Sequence, residues 1–428
     1  TPGTHDLGGR TARTWGFNGA YLGPTLRARR GETVLVNVTN RVAEPTTVHW
    51  HGMRLPAAMD GGPHQQIPPG AVWQPTWRVD QPAATLWYHP HPHGATNPHV
   101  YRGLAGLFLV DEPGGPALPH RYGVDDVPVV VTDVRLRGDR LDESGAFGSD
   151  LGLRGDEVLT NGVRAAYLDV RTEAVRLRLL NASPARAYGF GFADDRPFTL
   201  VGTDGGLLPA PHQRSRLRLT PGERAEIVVR LRPGERAVLR SHPPDLGSRP
   251  EVFDWLHGGR DRFDLLELRA APALAPAPQV PGTLAAFPAA RQPVTTRTFD
   301  LAGHKINGRR MDLGRLDAVV TQGTTEVWEV ANRDGMPHSM HLHDVRFRVL
   351  DPPDPALGGW KDTVYVPPGE RLRLLIDFDG HSDPAHPYMF HCHKLGHEDR
   401  GMMGQFVVVR PGERPFPPRP VADHAHPG

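Results

Sequence analysis

Residues 219–231 read LTPGERAEIVVRL, residues 67–79 read IPPGAVWQPTWRV and residues 366–378 read VPPGERLRLLIDF. In each, a Pro-Gly turn feeds a short run of strand-favouring residues. Another strand signal stands ahead of each: ETVLVNVTN at 32–40, EAVRLRLLN at 173–181 and TEVWEVAN at 325–332. Their apolar residues alternate, the pattern of a strand with one buried face. Further upstream lies an Asn-Gly dipeptide, at Asn18-Gly19, Asn161-Gly162 and Asn307-Gly308, giving steps of 143 residues (18 to 161) and 146 residues (161 to 307). Such a step is too long for a solenoid and is the size of a domain. Capped helical periodicity is hard to find, so the sequence predicts an all-β chain of three related β-sandwiches in series. The predicted boundaries are 1–113, 114–270 and 295–413, with a linker over 271–294 and a tail over 414–428. The linker rests on APALAPAPQVPG at 271–282, a composition that favours extended chain.

Composition narrows the function classes. Lys+Arg 49 against Asp+Glu 48 leaves a formal charge of +1 over 428 residues, so no overall field draws the chain to nucleic acid. No apolar run reaches the ~18–20 residues of a membrane span, and no signal-peptide pattern is present. Thr1 reads as the start of a trimmed chain. The single cysteine, Cys392, excludes an internal disulfide.

Histidine carries the chemistry. Of 23 histidines, eight form four His-x-His triplets: His49-Trp50-His51, His89-Pro90-His91, His341-Leu342-His343 and His391-Cys392-His393. On a strand, i and i+2 share a face, so each triplet presents two imidazoles together. A lone pair of this kind is usually a surface feature. Four of them, two in each outer repeat, point to metal binding. TTVHWHG aligns with HSMHLHD, and WYHPHPHG with MFHCHKLGH, whereas the middle repeat offers ARAYGFGF, without histidine. The imidazoles are therefore expected to meet at a seam between the first and third domains, with the second as spacer and wall. Cys392 should face away from its flanking histidines. With His338, His397 and a thioether it fits a blue-copper electron-transfer site. Met402 is the expected thioether and Met403 its competitor. Electrons entering at the thiolate would have a short covalent route to a histidine-held cluster.

These motifs, HWHG, WYHPH, HSMHLH and HCHKLGHEDRGMM, resemble those of multicopper oxidases, specifically bacterial three-domain laccase-like enzymes and bilirubin oxidases. The resemblance extends over roughly residues 10–412 and implies cupredoxin-like Greek-key domains binding four copper ions. It implies that His49 and His341 hold the type 2 copper. His51, His89, His91, His343, His391 and His393 would hold the type 3 pair, and His338, Cys392, His397 and Met402 the type 1 copper. Asp60 and Glu398 match the family's proton-handling carboxylates. The implied activity is one-electron oxidation of phenols or aromatic amines coupled to reduction of O2 to water. Alternatives are a bilirubin oxidase, a metallo-oxidase acting on Cu(I), Fe(II) or Mn(II), or a structural relative that binds copper without turnover. The absence of a methionine-rich insertion disfavours dedicated Cu(I) oxidation. The implied partners are O2 and a small reductant, the implied state a monomer, and the implied location extracytoplasmic.

Remaining histidines receive lesser roles. His93 is read as supporting the cluster or as packing, and not as a further ligand. His99, His212, His304, His381 and His386 are expected at the surface or in turns, and His424 and His426 in a mobile tail. The loops at 242–259 and 351–362 should border the type 1 histidines, with Trp255 and Trp360 as candidate substrate contacts or wall residues.

Overall fold

The computed structural model describes residues 1–144, 151–247, 251–350 and 354–418. It is built from strands, with only short helices. In the middle repeat, a six-stranded sheet faces a five-stranded one across a core that includes Val129, Leu177, Phe190, Ile227 and Leu268. In the third repeat, two five-stranded sheets enclose Trp328, Phe347, Phe390 and Phe406. The first repeat is more broken, with a three-stranded sheet (Leu26–Arg29, Gly106–Asp111, Ala84–Tyr88) and two short strand pairs around Trp50 and Trp77.

The repeat signals fold alike. The strand signal pairs antiparallel with the run after its Pro-Gly turn three times: Thr33–Leu35 with Thr76–Arg78, Ala174–Asn181 with Arg224–Arg230, and Thr325–Asn332 with Arg371–Asp377. Asn161-Gly162 and Asn307-Gly308 each turn a tight hairpin with both residues at positive φ (52° and 78°; 51° and 72°), the conformation for which Asn-Gly is suited. A further echo closes each strand signal. Asn40, Asn181 and Asn332 each accept the N–H two residues on, and each donates to the carbonyl just ahead of the Pro-Gly turn, that of Ile67, Leu219 or Val366.

Two expectations change. Alternation predicted one solvated face for EAVRLRLLN, yet every residue of Ala174–Asn181 is buried. Its charged face lies against the first repeat. Arg178 holds Asp126 through two bonds (2.6 and 2.9 Å) and Glu226 at 2.9 Å, while Thr85 donates to Glu226 at 2.6 Å. The second change is in the Pro/Ala-rich stretch. Strand Phe263–Ala275 runs into it, and Leu284, beyond it, is buried against the middle core.

The charge cluster gives a pH prediction. Burial pushes the Glu226 carboxyl up, but Arg176 and Arg178 beside it outweigh that and bring it down to about 2 from 4.5. Its ionised form is thus favoured in the folded state. The stabilisation is fully present above pH ~4.5 and lost as pH falls toward about 2, at about 3 kcal/mol for a buried group. Denaturant unfolding should show that loss between pH ~5 and ~2.5, and the Glu226→Gln variant should show much less of it.

Candidate metal centre

The outer repeats contribute two histidine segments each, and the strands set their reach. His338–Leu342 lies beside the C-terminal part of Asp383–Cys392 with His341 opposite His391, and His49 bridges His89 in the first repeat. His51, His91, His343 and His393 lie just outside regular strands, where turns bring their rings round to the seam. All ten histidines expected to be ligands, with Cys392, Met402, Asp60 and Glu398, are 2% exposed or less.

Four groups of donors converge, each with its donor atoms within 4.8 Å of one another: His49, His51 and His341; His51, His89 and His393; His91, His343 and His391; and His338, Cys392 and His397. A fifth joins Asp60 to His49 and His343. The first three groups share one pocket, in which His49 stacks on His343 and His51 on His341, with ring centroids 3.7 and 3.6 Å apart.

Hydrogen bonds sort the ring nitrogens. A neutral imidazole carries one N–H, and the acceptor it meets decides which nitrogen keeps the lone pair. His49 Nδ1 donates to the Asp60 carbonyl (2.9 Å), His89 Nδ1 to the Pro90 carbonyl (2.8 Å), and His341 Nδ1 to the Asp362 carbonyl (2.9 Å). His343 Nδ1 donates to Asp60 Oδ2 at 2.7 Å, and His91 Nδ1 and His391 Nδ1 lie 3.4 and 3.1 Å from the Glu398 carboxylate. Among the pocket rings with an outward acceptor only His51 is reversed: its Nε2 donates outward to Asp362 (3.0 Å) and Nδ1 faces in.

Lone pairs therefore confront one another. His91 Nε2 lies 3.1 Å and His343 Nε2 3.3 Å from His391 Nε2, and His51 Nδ1 lies 3.4 Å from His89 Nε2. The Nε2 atoms of His49, His341 and His393 are buried without a hydrogen-bond partner. Desolvated lone pairs in such numbers are costly unless a cation sits among them. Burial, reinforced by neighbouring imidazoles, holds His51, His89, His341, His343 and His393 well below the usual histidine range. Burial also lowers His91 to about 3. These six rings are thus held toward the neutral form, the state that binds metal. The donor set fits copper ions.

On the far side of Cys392, Sγ lies 3.6 Å from His338 Nδ1 and 3.6 Å from His397 Nδ1, with the Ser339 N–H directed at it from 3.5 Å. Met402 is tied to both flanks, its N–H donating to the His397 carbonyl and its carbonyl accepting the Cys392 N–H (3.0 Å each). Its side chain shares a buried cluster with Cys392. As expected, Cys392 serves one side while its neighbours His391 and His393 serve the other.

Several residues escaped the sequence reading. Asp334 orients His338 through Nε2 at 3.1 Å, and Asp362 contacts two cluster imidazoles. Asp399 accepts the N–H groups of Thr96 and Asn97, clasping the third repeat to the first. A lone aspartate in a turn carries no such signal, although Asp334 does stand four residues ahead of His338. His99 is a correction: it is wholly buried on helix Thr96–Tyr101, between Thr46 (3.1 Å), Glu44 (3.3 Å) and the edge of Trp15. His304 does sit in a turn (φ 59°), with its ring against His397. His212 and His381 are half-buried and His386 is exposed. His93 belongs to no donor group among the described residues. Trp360 is buried, stacked on Phe287, and Trp255 is 49% exposed. Leu246 and His257, from the 242–259 loop, border a small cavity beside His338. His424 and His426 lie outside the described residues.

Models of multicopper oxidase domains match residues 2–115 and 283–412. Cell division protein FtsP of Edwardsiella tarda is 38% identical over 419 residues, covering 94% of this chain and 87% of the relative. A laccase-like multicopper oxidase, CueO, from Ochrobactrum sp. has a similar structure (TM-score 0.87, 34% identity, 96% of each chain). So does a laccase from Pediococcus acidilactici (TM-score 0.86, 33% identity, 96% of this chain and 88% of the other). By these matches, and by a cupredoxin-like all-β fold carrying two sets of buried metal donors, the chain belongs to the multicopper oxidase family.

Proposed function

We propose that this protein is a laccase-like oxidase that binds four copper ions and couples one-electron oxidation of phenols or aromatic amines to reduction of O2 to water. His338, Cys392, His397 and Met402 would hold one ion. His49 and His341 would hold a second, and His51, His89, His91, His343, His391 and His393 a pair. Bound copper would supply one-electron oxidation at the cysteine and four-electron reduction of O2 at the cluster. The observation that carries this reading is the outward commitment of the ring protons of His51, His89 and His343, which leaves buried lone pairs turned into the pocket.

The chain's own contribution is positioning, conduction and proton supply. Cys392 is peptide-bonded to His391 and His393, which belong to two different donor groups of the pocket, so its thiolate would join the cluster through a continuous covalent path. Asp60 and Glu398, buried against cluster imidazoles, would pass protons into the pocket. The short helix Glu251–Leu256, with exposed Trp255, would border the reductant's approach to His338.

Copper analysis of the loaded protein, joined to O2 uptake on a phenol and on Cu(I), Fe(II) and Mn(II), tests the reading. Four coppers per chain, a blue absorption band and phenol-dependent O2 uptake are expected. Turnover confined to a metal ion would replace laccase with metallo-oxidase, and full copper without any turnover would sink the enzyme reading. A second role is favoured by the identity to FtsP along nearly the whole chain: action in cell division at an extracytoplasmic site. Deleting the gene and restoring either the wild type or a copper-ligand variant would show whether division depends on the protein and on its copper. No helix among the described residues is long and apolar enough to cross a membrane.

A further inference from the structure

Asp362 joins two cluster rings that come from opposite ends of the chain. Its side-chain Oδ1 accepts from His51 Nε2 at 3.0 Å, and its backbone carbonyl accepts from His341 Nδ1 at 2.9 Å. Those rings stack with planes 8° apart. Thr363 supports the arrangement, its hydroxyl donating to Asp362 Oδ1 at 2.8 Å while lying 3.0 Å from His51 Nε2. The carboxylate is held by a fork from the middle repeat. Arg224 Nη1 meets Oδ1 and Nη2 meets Oδ2, each at 2.6 Å. Arg224 is itself wholly buried and fixed from two further sides, donating to the Thr85 carbonyl (2.9 Å) and the Asp204 carbonyl (3.1 Å). The first repeat approaches so closely that a Cβ on Gly52 would lie 2.6 Å from both Arg224 Nη2 and Asp362 Oδ2, and Gly52 has a φ of 82°.

We propose that Arg224 and Asp362 are positioning residues of the copper cluster: the fork holds Asp362 so that His51 keeps its proton on Nε2 and turns Nδ1 inward. The inference rests on the copper reading above. His51 is the one cluster ring whose committed proton is on Nε2, so it needs an acceptor on the side away from the pocket. A bidentate guanidinium fixes a carboxylate in plane as well as in place, which an ammonium cannot do. Partners that orient ligating histidines typically change metal affinity by about 10–100-fold when removed. The middle repeat, with no histidine in the pocket, thereby sets ring orientation at a seam formed by the other two.

The test uses the full chain carrying Asp362→Asn or Arg224→Lys, loaded with Cu(II) and titrated against a chelator. Copper per chain and the electron paramagnetic resonance spectrum are read, together with circular dichroism. In both variants the cysteine-bound copper should keep its wild-type signal. Cluster affinity should fall about 10–100-fold in each, in Arg224→Lys because it retains the charge without the fork. Wild-type cluster affinity and spectrum in Asp362→Asn would overturn the proposal, as would wild-type cluster affinity in Arg224→Lys. Loss of the cysteine-bound copper and of folded structure together in Asp362→Asn, which retains volume but offers the Arg224 fork only one acceptor oxygen, would also overturn it by making the pair mere glue. A wild-type chain that takes up no cluster copper would fail earlier and sink the copper reading itself. A wild type that fills and variants that fill equally would sink only the positioning role.

Discussion

Cys392→Ser is expected to remove the blue absorption band and one copper per chain while leaving the cluster coppers in place. The thiolate is the only soft anionic donor near His338 and His397 among the described residues, and a serine hydroxyl stays protonated and hard. Folding should survive the exchange, because the two side chains differ little in volume and the Ser339 N–H already points at this position. Oxidation of a phenol should fall by at least ~10³-fold, about 4 kcal/mol or more in the barrier. Copper analysis with steady-state O2 uptake checks both halves. A variant that retained the blue band would show that the band does not arise from a thiolate-bound copper.

Asp60→Asn should produce the second large effect, confined to the O2 half of the cycle. Asp60 Oδ2 accepts a hydrogen bond from His343 Nδ1 at 2.7 Å, while Oδ1 is buried with no hydrogen-bond partner, 3.4 Å from His49 Nδ1. An amide can still accept from His343, so ring geometry should persist, but it cannot take up and release a proton. Turnover is expected to drop about 10²–10⁴-fold, the range for loss of a general acid–base group. Stopped-flow measurement separates the steps: anaerobic bleaching of the blue band by the reductant at the wild-type rate, then slow return on mixing with O2. Slowed bleaching would instead assign Asp60 to the reductant side.

The histidine pairs were legible because metal chemistry demands a repeated residue at a repeated spacing, and two outer repeats supplied independent copies. The Asn-Gly and Pro-Gly turns were legible for a related reason, since backbone conformation restricts which residues can stand there. Arg224 and Asp362 were not, because their meaning lies in a contact between repeats 138 positions apart. The alternation in residues 173–181 was read correctly as a strand and wrongly as half-solvated. Period two reports which face is charged, and it cannot tell water from a neighbouring repeat that covers charges already paired within the sheet. His99 failed in the same way, since a lone histidine with a carboxylate partner from a distant loop looks in sequence like a surface residue.

The division of the pocket between the two ends of the polypeptide has a consequence for biosynthesis. His91 leaves the ribosome roughly 250 residues before His338, a delay on the order of 10–50 s at usual elongation rates. Throughout that interval the nascent protein carries four of the eight cluster histidines and none of the residues grouped with Cys392. Faithful metallation must therefore follow completion of the chain, and a compartment that withholds free copper during synthesis would protect the early half-sites from mispairing.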